Sequence, residues 1–412
     1  MPRLLLLLPT TTYRTEAFMD AARRLGVGIV VASERPNVLQ ERLPDGLLTL
    51  NFLNPAEAAR SAVEFAQLDP IDAVVSVDDV TTVVGAAIAE ALGLPHNSVE
   101  STVAARNKHV MRETLSRAGV SVPRYALFSL DDDPMALGSQ VTFPCVLKPT
   151  ILSASRGVIR ADDPCQFVTA FRRIEAILRS PEVAAMGEEA RLILVEEFVP
   201  GVEVALEGLL IKGELQVLAL FDKPDPLDGP FFEETIYVTP SRLPATVQAE
   251  IKNCTARAAE ALGLNEGPVH GELRVNQDGV WVIEIAARSI GGRCSKALRF
   301  GAGISLEELI LRHALGMEIP SFERERRAAG VMMIPIPRAG LLSEVRGQEG
   351  AKAVQGIEEI EITAHLRMEL VPLPEGSRYL GFIFARAETP ERVESSLREA
   401  HRRLEFVITP SG

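Results

Sequence analysis

The sequence predicts an α/β chain that passes into α+β. Strand and helix alternate over roughly the first 95 residues, antiparallel hairpins dominate from about residue 97, and short strands closed by a helix follow from about residue 328. Leu4 to Leu8 is an unbroken apolar run ended by Pro9, the pattern of a strand buried on both faces. Phe18, Ala21, Ala22 and Leu25 then recur at helical spacing, and Gly26 stands where a helix ends. Ile29 to Val31 is the next strand. Ala73 to Val77 is a further buried run that stops at Asp78 and Asp79, before a small-residue helix reaching Leu92. Such alternation implies an open parallel sheet.

Helical segments up to Ala118 open the middle of the chain and lead to a strand, Cys145 to Leu147, that delivers Lys148 in front of Pro149. Phe167, Phe171, Ile174 and Leu178 mark a helix, and Leu192 to Val195 another buried strand. Val202, Val204 and Leu206 alternate with Glu203, Ala205 and Glu207, and Lys212-Gly213 turns the chain into Leu215 to Phe221. A helix bearing Val247, Ile251, Ala258 and Leu262 precedes a second hairpin, Val269 to Val275 and Val280 to Ala286, turning at Asn276 to Gly279. Past the charged run Glu323 to Arg327, which reads as a solvated connector, come strands at 331–336, 357–362 and 379–385 and a helix from Pro390 to Leu404. The expected domains are 1–96, 97–327 (parts 97–190 and 191–327) and 328–412.

Composition narrows the function. Apolar residues make up 47% and charged residues 24%, as in ordinary folded domains. Forty-three Lys and Arg against 56 Asp and Glu give a net charge of −13, which argues against a nucleic-acid or anionic-membrane partner and leaves room only for a local cationic pocket. Cys145, Cys165, Cys254 and Cys294 have no metal-ligand spacing and read as reduced, buried thiols. Five leucines are too few for a leader's apolar core, so the expected location is cytoplasmic.

Chemistry concentrates in three places. If facing residues of the second hairpin have numbers summing to 556, Leu273 faces Ile283, Val275 faces Trp281, and Glu272 lies across from Glu284. Two carboxylates roughly 5 Å apart repel, which suits either a solvated edge or a divalent cation between them; Mg²⁺ typically takes one or two carboxylates plus substrate phosphates. His270 shares that face, either as a packed histidine or as a site residue. The second place is Lys148 followed by a loop of small hydroxyl residues, Ser153-Ala-Ser155-Arg156-Gly157; its backbone N–H groups and hydroxyls can close over phosphates, although an ordinary surface loop reads the same way. The third is Glu196-Glu197-Phe198-Val199-Pro-Gly201-Val-Glu203, a strand running into a bend whose backbone could meet a flat base while Glu203 accepts from hydroxyls. Trp281 and Phe300 read as core. No Gly-Lys dipeptide of a Walker loop occurs.

Taken in order, Lys108, Lys148 with its loop, Glu196 to Val199, Glu203, Glu272 and Glu284 to Arg288 resemble the ATP-grasp superfamily over nearly the whole chain. Leu152 to Arg160, Phe232-Glu-Glu-Thr235 and Ala287 to Gly292 are most similar to the L-amino-acid ligases, which make dipeptides. The resemblance implies an ATP-grasp fold between an N-terminal α/β domain and a C-terminal α+β domain, with ATP and Mg²⁺ as cofactors and amino acids as substrates. It implies that Lys108, Lys148, Ser153, Ser155, Arg156 and Gly157 meet phosphates, that Glu196, Glu197, Phe198 and Val199 meet the base, and that Glu203 meets the ribose. Glu272 and Glu284 would hold the metal, Arg288 with Lys148 would act on the transferred phosphoryl group, and Glu234, His270, Gly291 and Gly292 would meet substrate. Two positions depart from the pattern: Ala286 stands where many members have a metal-binding Asn, and Tyr237 where dipeptide-forming relatives can have His. An ATP-grasp carboxylase or purine-pathway ligase, and a nucleotide-binding protein without catalysis, stay open beside the ligase; self-association, as a homodimer, is left open too.

Overall fold

A computed structural model describes residues 1–36 and 46–410. Its first sheet is parallel, in the order β3 (Leu47–Thr49), β2 (Gly28–Ser33), β1 (Arg3–Leu7), β4 (Ala73–Ser76). Leu4 to Leu7 are fully buried because β1 lies inside the sheet with helices on both faces, as the apolar run requires. Helix α1 (Thr15–Leu25) buries Phe18, Ala21 and Ala22 and ends on Gly26 at φ 64°, a left-handed conformation open to glycine. Helix α2 (Pro55–Leu68) and helix α3 (Asp79–Ala91) complete this unit, α3 being capped by Asp78.

Two short helices, α4 (Val99–Arg106) and α5 (Lys108–Arg117), lead into a small antiparallel sheet in the order β5 (Tyr125–Ser129), β8 (Leu192–Glu197), β6 (Cys145–Pro149), β7 (Ile159–Ala161). The helix Pro164–Leu178 packs Phe167, Phe171 and Ile174 against it with no exposure, the stripe its spacing foretold. Beside it stands an eight-stranded sheet: β13 (Gly279–Ala286), β12 (Gly267–Asn276), β9 (Val202–Ile211), β10 (Glu214–Asp222), β11 (Ile236–Thr239), β14 (Ala328–Ile334), β18 (Gly381–Ala387) and β16 (Ile357–Ile362). This sheet runs across residue 328 without a break, so the C-terminal unit proposed to start there shares hydrogen bonds with the central one. A three-stranded sheet of β17 (Glu369–Leu370), β15 (Gly340–Arg346) and β19 (Glu405–Thr409) and the helix Pro390–Arg403 close the chain. No helix among the described residues is long and apolar enough to cross a membrane.

The β12–β13 hairpin corrects part of the expected register. Glu272 does face Glu284, but a β-bulge follows, so that Leu273 faces Val282, Arg274 faces Trp281 and Val275 faces Val280. The bulge lets Leu273 and Val282 both reach zero exposure in the core. Ile283, the extra residue, turns to the cavity described below, and its carbonyl accepts from Arg112. Trp281 is half-buried and donates to Asn276 instead of packing in the core, whereas Phe300 is fully buried. Of the four free cysteines only Cys145 and Cys294 are buried; Cys165 is exposed and Cys254 partly so.

Candidate active site between the two sheets

A cavity of about 1700 Å³ lies where the ends of the parallel sheet, both central sheets and the segment around residues 363–382 converge. Its walls are unlike in charge.

The cationic wall is built from α5 and β6. Asn107 caps α5 by accepting from the His109 and Val110 N–H groups, which fixes the first turn and aims Lys108 inward. Lys108 Nζ donates to the Leu152 carbonyl at 2.8 Å and pairs with Glu284 at 3.2 Å. Lys148, at the end of β6, pairs with Glu196 at 2.6 Å, and Glu196 also accepts from Arg112 Nε at 2.5 Å. Burial would raise the carboxyl of Glu196, which is 2% exposed, but the charges of Arg112 and Lys148 outweigh it and bring its pKa from 4.5 down to about 2. Arg112 stands one helical turn from Lys108 on the same face of α5, an i, i+4 relation visible in the sequence.

The loop after β6 folds over this wall. Ala154, Ser155 and Gly157 take φ of 54°, 55° and 74°, and a Cβ on Gly157 would lie 2.7 Å from Pro149 Cγ, so the close turn needs glycine there. The Gly157 N–H donates to the Pro374 carbonyl at 2.8 Å, Arg156 Nε to the Glu375 carbonyl at 3.0 Å, and Arg156 also pairs with Glu182 at 2.7 Å. Ser153, Ser155 and Arg156 all line the cavity.

Beyond β8 the chain supplies one end of the cavity. Glu197 is exposed and 3.8 Å from Arg124, the Phe198 N–H donates to the Pro144 carbonyl, and the Val199 carbonyl accepts from Arg274 at 2.8 Å. Gly201 bends the chain at φ 126°. The Phe198 ring lies under two guanidinium groups, Arg160 at 4.1 Å and Arg274 at 5.0 Å, and 6.5 Å from the Phe232 ring.

The opposite side is a carboxylate floor. Glu203 from β9, Glu234 before β11 and Glu272 from β12 each offer an oxygen within 4.8 Å of the others. Lys223, just past β10, donates to Glu203 at 2.9 Å, to Glu272 at 3.2 Å and to Glu234. Arg274 pairs with Glu203 at 2.9 Å. Burial and the neighbouring Glu272 charge push the Glu234 carboxyl up to about 7 against the pull of Lys223, whereas Lys223 and His270 overcome burial and hold Glu272 well below the usual range. His270 sits 3.6 Å from Glu272 and 3.6 Å from the buried Glu207; burial would lower it, and the two carboxylates push it from 6.5 up to about 9. Glu284 faces Glu272 across the strands but lies outside the three-carboxylate group, held by Lys108. Oxygen donors alone make up this floor, the donor type that Mg²⁺ takes.

Arg288 is not free: it pairs with Asp79 at the head of α3 at 2.8 Å, which raises its pKa despite burial and lowers that of Asp79. The Gly292 N–H donates to the Tyr13 hydroxyl at 2.5 Å. Gly292 has φ 58° and a Cβ there would lie 2.3 Å from Met333 Sδ, so this position too needs glycine; Gly291 lines the cavity beside it. The structure thus brings every sequence-predicted site residue except Gly157 to the lining of one cavity, with Gly157 buried beneath its loop. Lys223, Arg112, Arg274, Asp79 and Tyr13 were missed. Arg274 had a signal, the two-residue spacing from Glu272 on a strand; Lys223 and Tyr13 sit in irregular segments and had none.

Comparison with known proteins agrees with this geometry. Residues 141–297 match the ATP-grasp domain, 19–96 the ATP-grasp N-terminal domain and 332–409 the L-amino acid ligase C-terminal domain 2. A crystal structure of L-amino acid ligase from Bacillus licheniformis superposes with a TM-score of 0.80 at 26% identity, covering 99% of each chain. Carboxyaminoimidazole ribonucleotide synthase from Aspergillus clavatus, complexed with ATP, shares the fold at a TM-score of 0.73 and 17% identity over 98% of this chain and 99% of that one. Alanine–anticapsin ligase of Bacillus subtilis is 28% identical over 269 residues, 62% of this chain, which spans little more than half (56%) of that relative's length. The chain thus carries ATP-grasp domains followed by an L-amino acid ligase C-terminal domain.

Proposed function

We propose that the chain is an ATP-dependent ligase that joins the carboxylate of one amino acid to the amine of a second through an acyl phosphate, releasing ADP and phosphate. One observation carries the reading: a single cavity presents Lys108 and Lys148, with Glu284 beside Lys108, on one wall and Glu203, Glu234 and Glu272 on the other. The likeness to an L-amino acid ligase over 99% of both chains supports the substrate class.

A carboxylate is a poor electrophile because its leaving group would be oxide. In this reading an oxygen of the first amino acid's carboxylate attacks the γ-phosphorus of ATP, the bond to ADP breaks, and the carboxyl carbon gains phosphate as a leaving group. The second amino acid, having lost a proton from its ammonium, attacks that carbon; the C–N bond forms and phosphate departs. Lys108 and Lys148 offset the phosphate charge, with Glu196 orienting Lys148. The strand end at Glu197, Phe198 and Val199 meets the base, Glu203 the ribose, and the Ser153 to Gly157 loop keeps water from the intermediate. Arg288 steadies the transferred phosphoryl group, Gly291 and Gly292 face the developing oxyanion, and Glu234 with His270 receives the substrate ammonium. Mg²⁺ on Glu272 and Glu284, when bound, would supply positive charge to the phosphate oxygens.

The test is a phosphate-release screen with ATP, Mg²⁺ and pairs of free amino acids, with mass analysis of products. Release that requires both amino acids and yields one amide is expected. Release driven by bicarbonate, or none in any mixture, would overturn the reading.

A further inference from the structure

Arg14 has no part in the chemistry above, yet its side chain is almost sealed from solvent, at 3% exposure. Among the described residues the one carboxylate paired with it, Glu307, stands 3.8 Å away, and Glu307 Oε1 has no hydrogen-bond partner. A buried guanidinium is costly unless its donors are met. Here they are met by backbone and one hydroxyl: Nη1 donates to the Val77 carbonyl at 3.2 Å and to the Ser289 carbonyl at 3.5 Å, and Nη2 to the Ser289 hydroxyl at 2.7 Å. One planar fork thus joins the end of β4 to the segment after β13. Both segments carry a partner of Arg288. Val77 stands two residues before Asp79, which pairs with Arg288 at 2.8 Å, and the Ser289 carbonyl accepts from Arg288 Nη1 at 3.0 Å. Tyr13, the preceding residue, holds the far end of the same segment through the Gly292 N–H.

We propose that Arg14 is a positioning residue for Arg288: by gripping Val77 and Ser289 together it fixes the spacing of the two partners that aim the Arg288 guanidinium into the cavity. The inference rests on the reading of Arg288 as the group that steadies the transferred phosphoryl group. Arg14→Lys keeps the charge but presents a single nitrogen, which cannot hold both segments as the fork does. Arg14→Met removes the grip altogether. Arg14 does not line the cavity, so neither change removes a contact to nucleotide.

The experiment compares the full chain as wild type, Arg14→Lys, Arg14→Met, Arg288→Met and the double variant Arg14→Met with Arg288→Met. Calorimetry follows Mg-ADP alone and Mg-ADP with aluminium fluoride, a mimic of the phosphoryl group in transfer; steady-state assays give kcat and KM for ATP. Arg14→Met should keep the ADP affinity and KM within about twofold while lowering kcat and the fluoride-dependent tightening about tenfold or more. Arg14→Lys should lose nearly as much. In the Arg288→Met background Arg14→Met should cost nothing further, because it acts through that guanidinium. An arginine with only a packing role would lower thermal stability and give additive losses. Additivity, an equal loss of ADP affinity, or no loss for Arg14→Met where Arg288→Met shows one overturns the proposal. Should Arg14→Met fail to fold, Arg14→Lys is read in the same cycle with the same outcomes. No loss for Arg288→Met would overturn its assigned role and this inference with it, whereas a failed amide screen beside the expected fluoride losses would sink the ligase reading and leave this one standing.

Discussion

The two sides of the cavity are built by the same device with opposite results. On the cationic wall three cations, Lys108, Arg112 and Lys148, meet two carboxylates, Glu196 and Glu284. On the floor four carboxylates, Glu203, Glu207, Glu234 and Glu272, meet three cations, Lys223, Arg274 and the His270 that Glu207 and Glu272 hold protonated. Each cluster offsets most of its own desolvation internally, because an unpaired buried charge costs several kcal/mol, and each leaves a surplus of one sign facing the cavity. A ligand that is anionic at one end and carries cations at the other fits between them; a triphosphate with its metal and an amino acid ammonium has that form.

Breaking either surplus should show which side does what. The largest effect is expected from Glu284→Gln, which removes a proposed metal carboxylate and the partner of Lys108: ATP turnover should fall by about 10³-fold in a steady-state ADP assay, and near wild-type release would contradict the role. Lys148→Ala should come next, raising KM for ATP and lowering kcat by about 10²-fold, since it removes charge from the transferring phosphate and leaves Glu196 to Arg112 alone. Unchanged kinetics would exclude Lys148 from the site. Glu375→Ala acts at a distance: Arg173 donates to this carboxylate at the edge of the segment that holds the Ser153 to Gly157 loop, so the variant should raise KM for ATP a few-fold with kcat nearly intact. A fall in kcat alone would refute the tether. The smallest effect concerns acid stability. The carboxyl of Glu196 titrates near 2 in the fold against 4.5 when free, so the stability it contributes is complete above 4.5 and is lost as the pH falls towards 2; Glu196→Gln should flatten the melting temperature over that window. An unchanged slope would place the acid sensitivity elsewhere.

The sequence made the floor more legible than the wall's supports. A strand states its own facing: Glu272 lies between the buried Gly271 and Leu273, and Glu203 and Glu284 each precede a buried residue, Val204 and Ile285, so period two set each carboxylate opposite a core-facing neighbour. The register past Glu272 failed because a bulge follows from core packing, where Leu273 and Val282 are both fully buried, and no turn residue announces it. Partners joined across distant elements were out of reach for a different reason. Arg288 meets Asp79 and Gly292 meets Tyr13 only because the parallel sheet docks onto the larger one, a tertiary relation with no local pattern. Lys223 follows a strand end and precedes Pro224, a setting that reads as a turn. The alternating and helical periods likewise foretold the parallel sheet and the β9–β10 and β12–β13 hairpins of the larger one, but neither β11 nor the run of that sheet across residue 328; the three-residue β3 and the two-residue β17 are too short to carry a period.

Phosphoryl transfer to a substrate carboxylate between these oppositely charged sides is the claim on which the account turns. It is tested most directly by supplying the first amino acid with heavy oxygen in its carboxylate and analysing the phosphate released during amide formation. The account predicts one heavy oxygen carried into each phosphate; label found in AMP, or phosphate free of label, would contradict it.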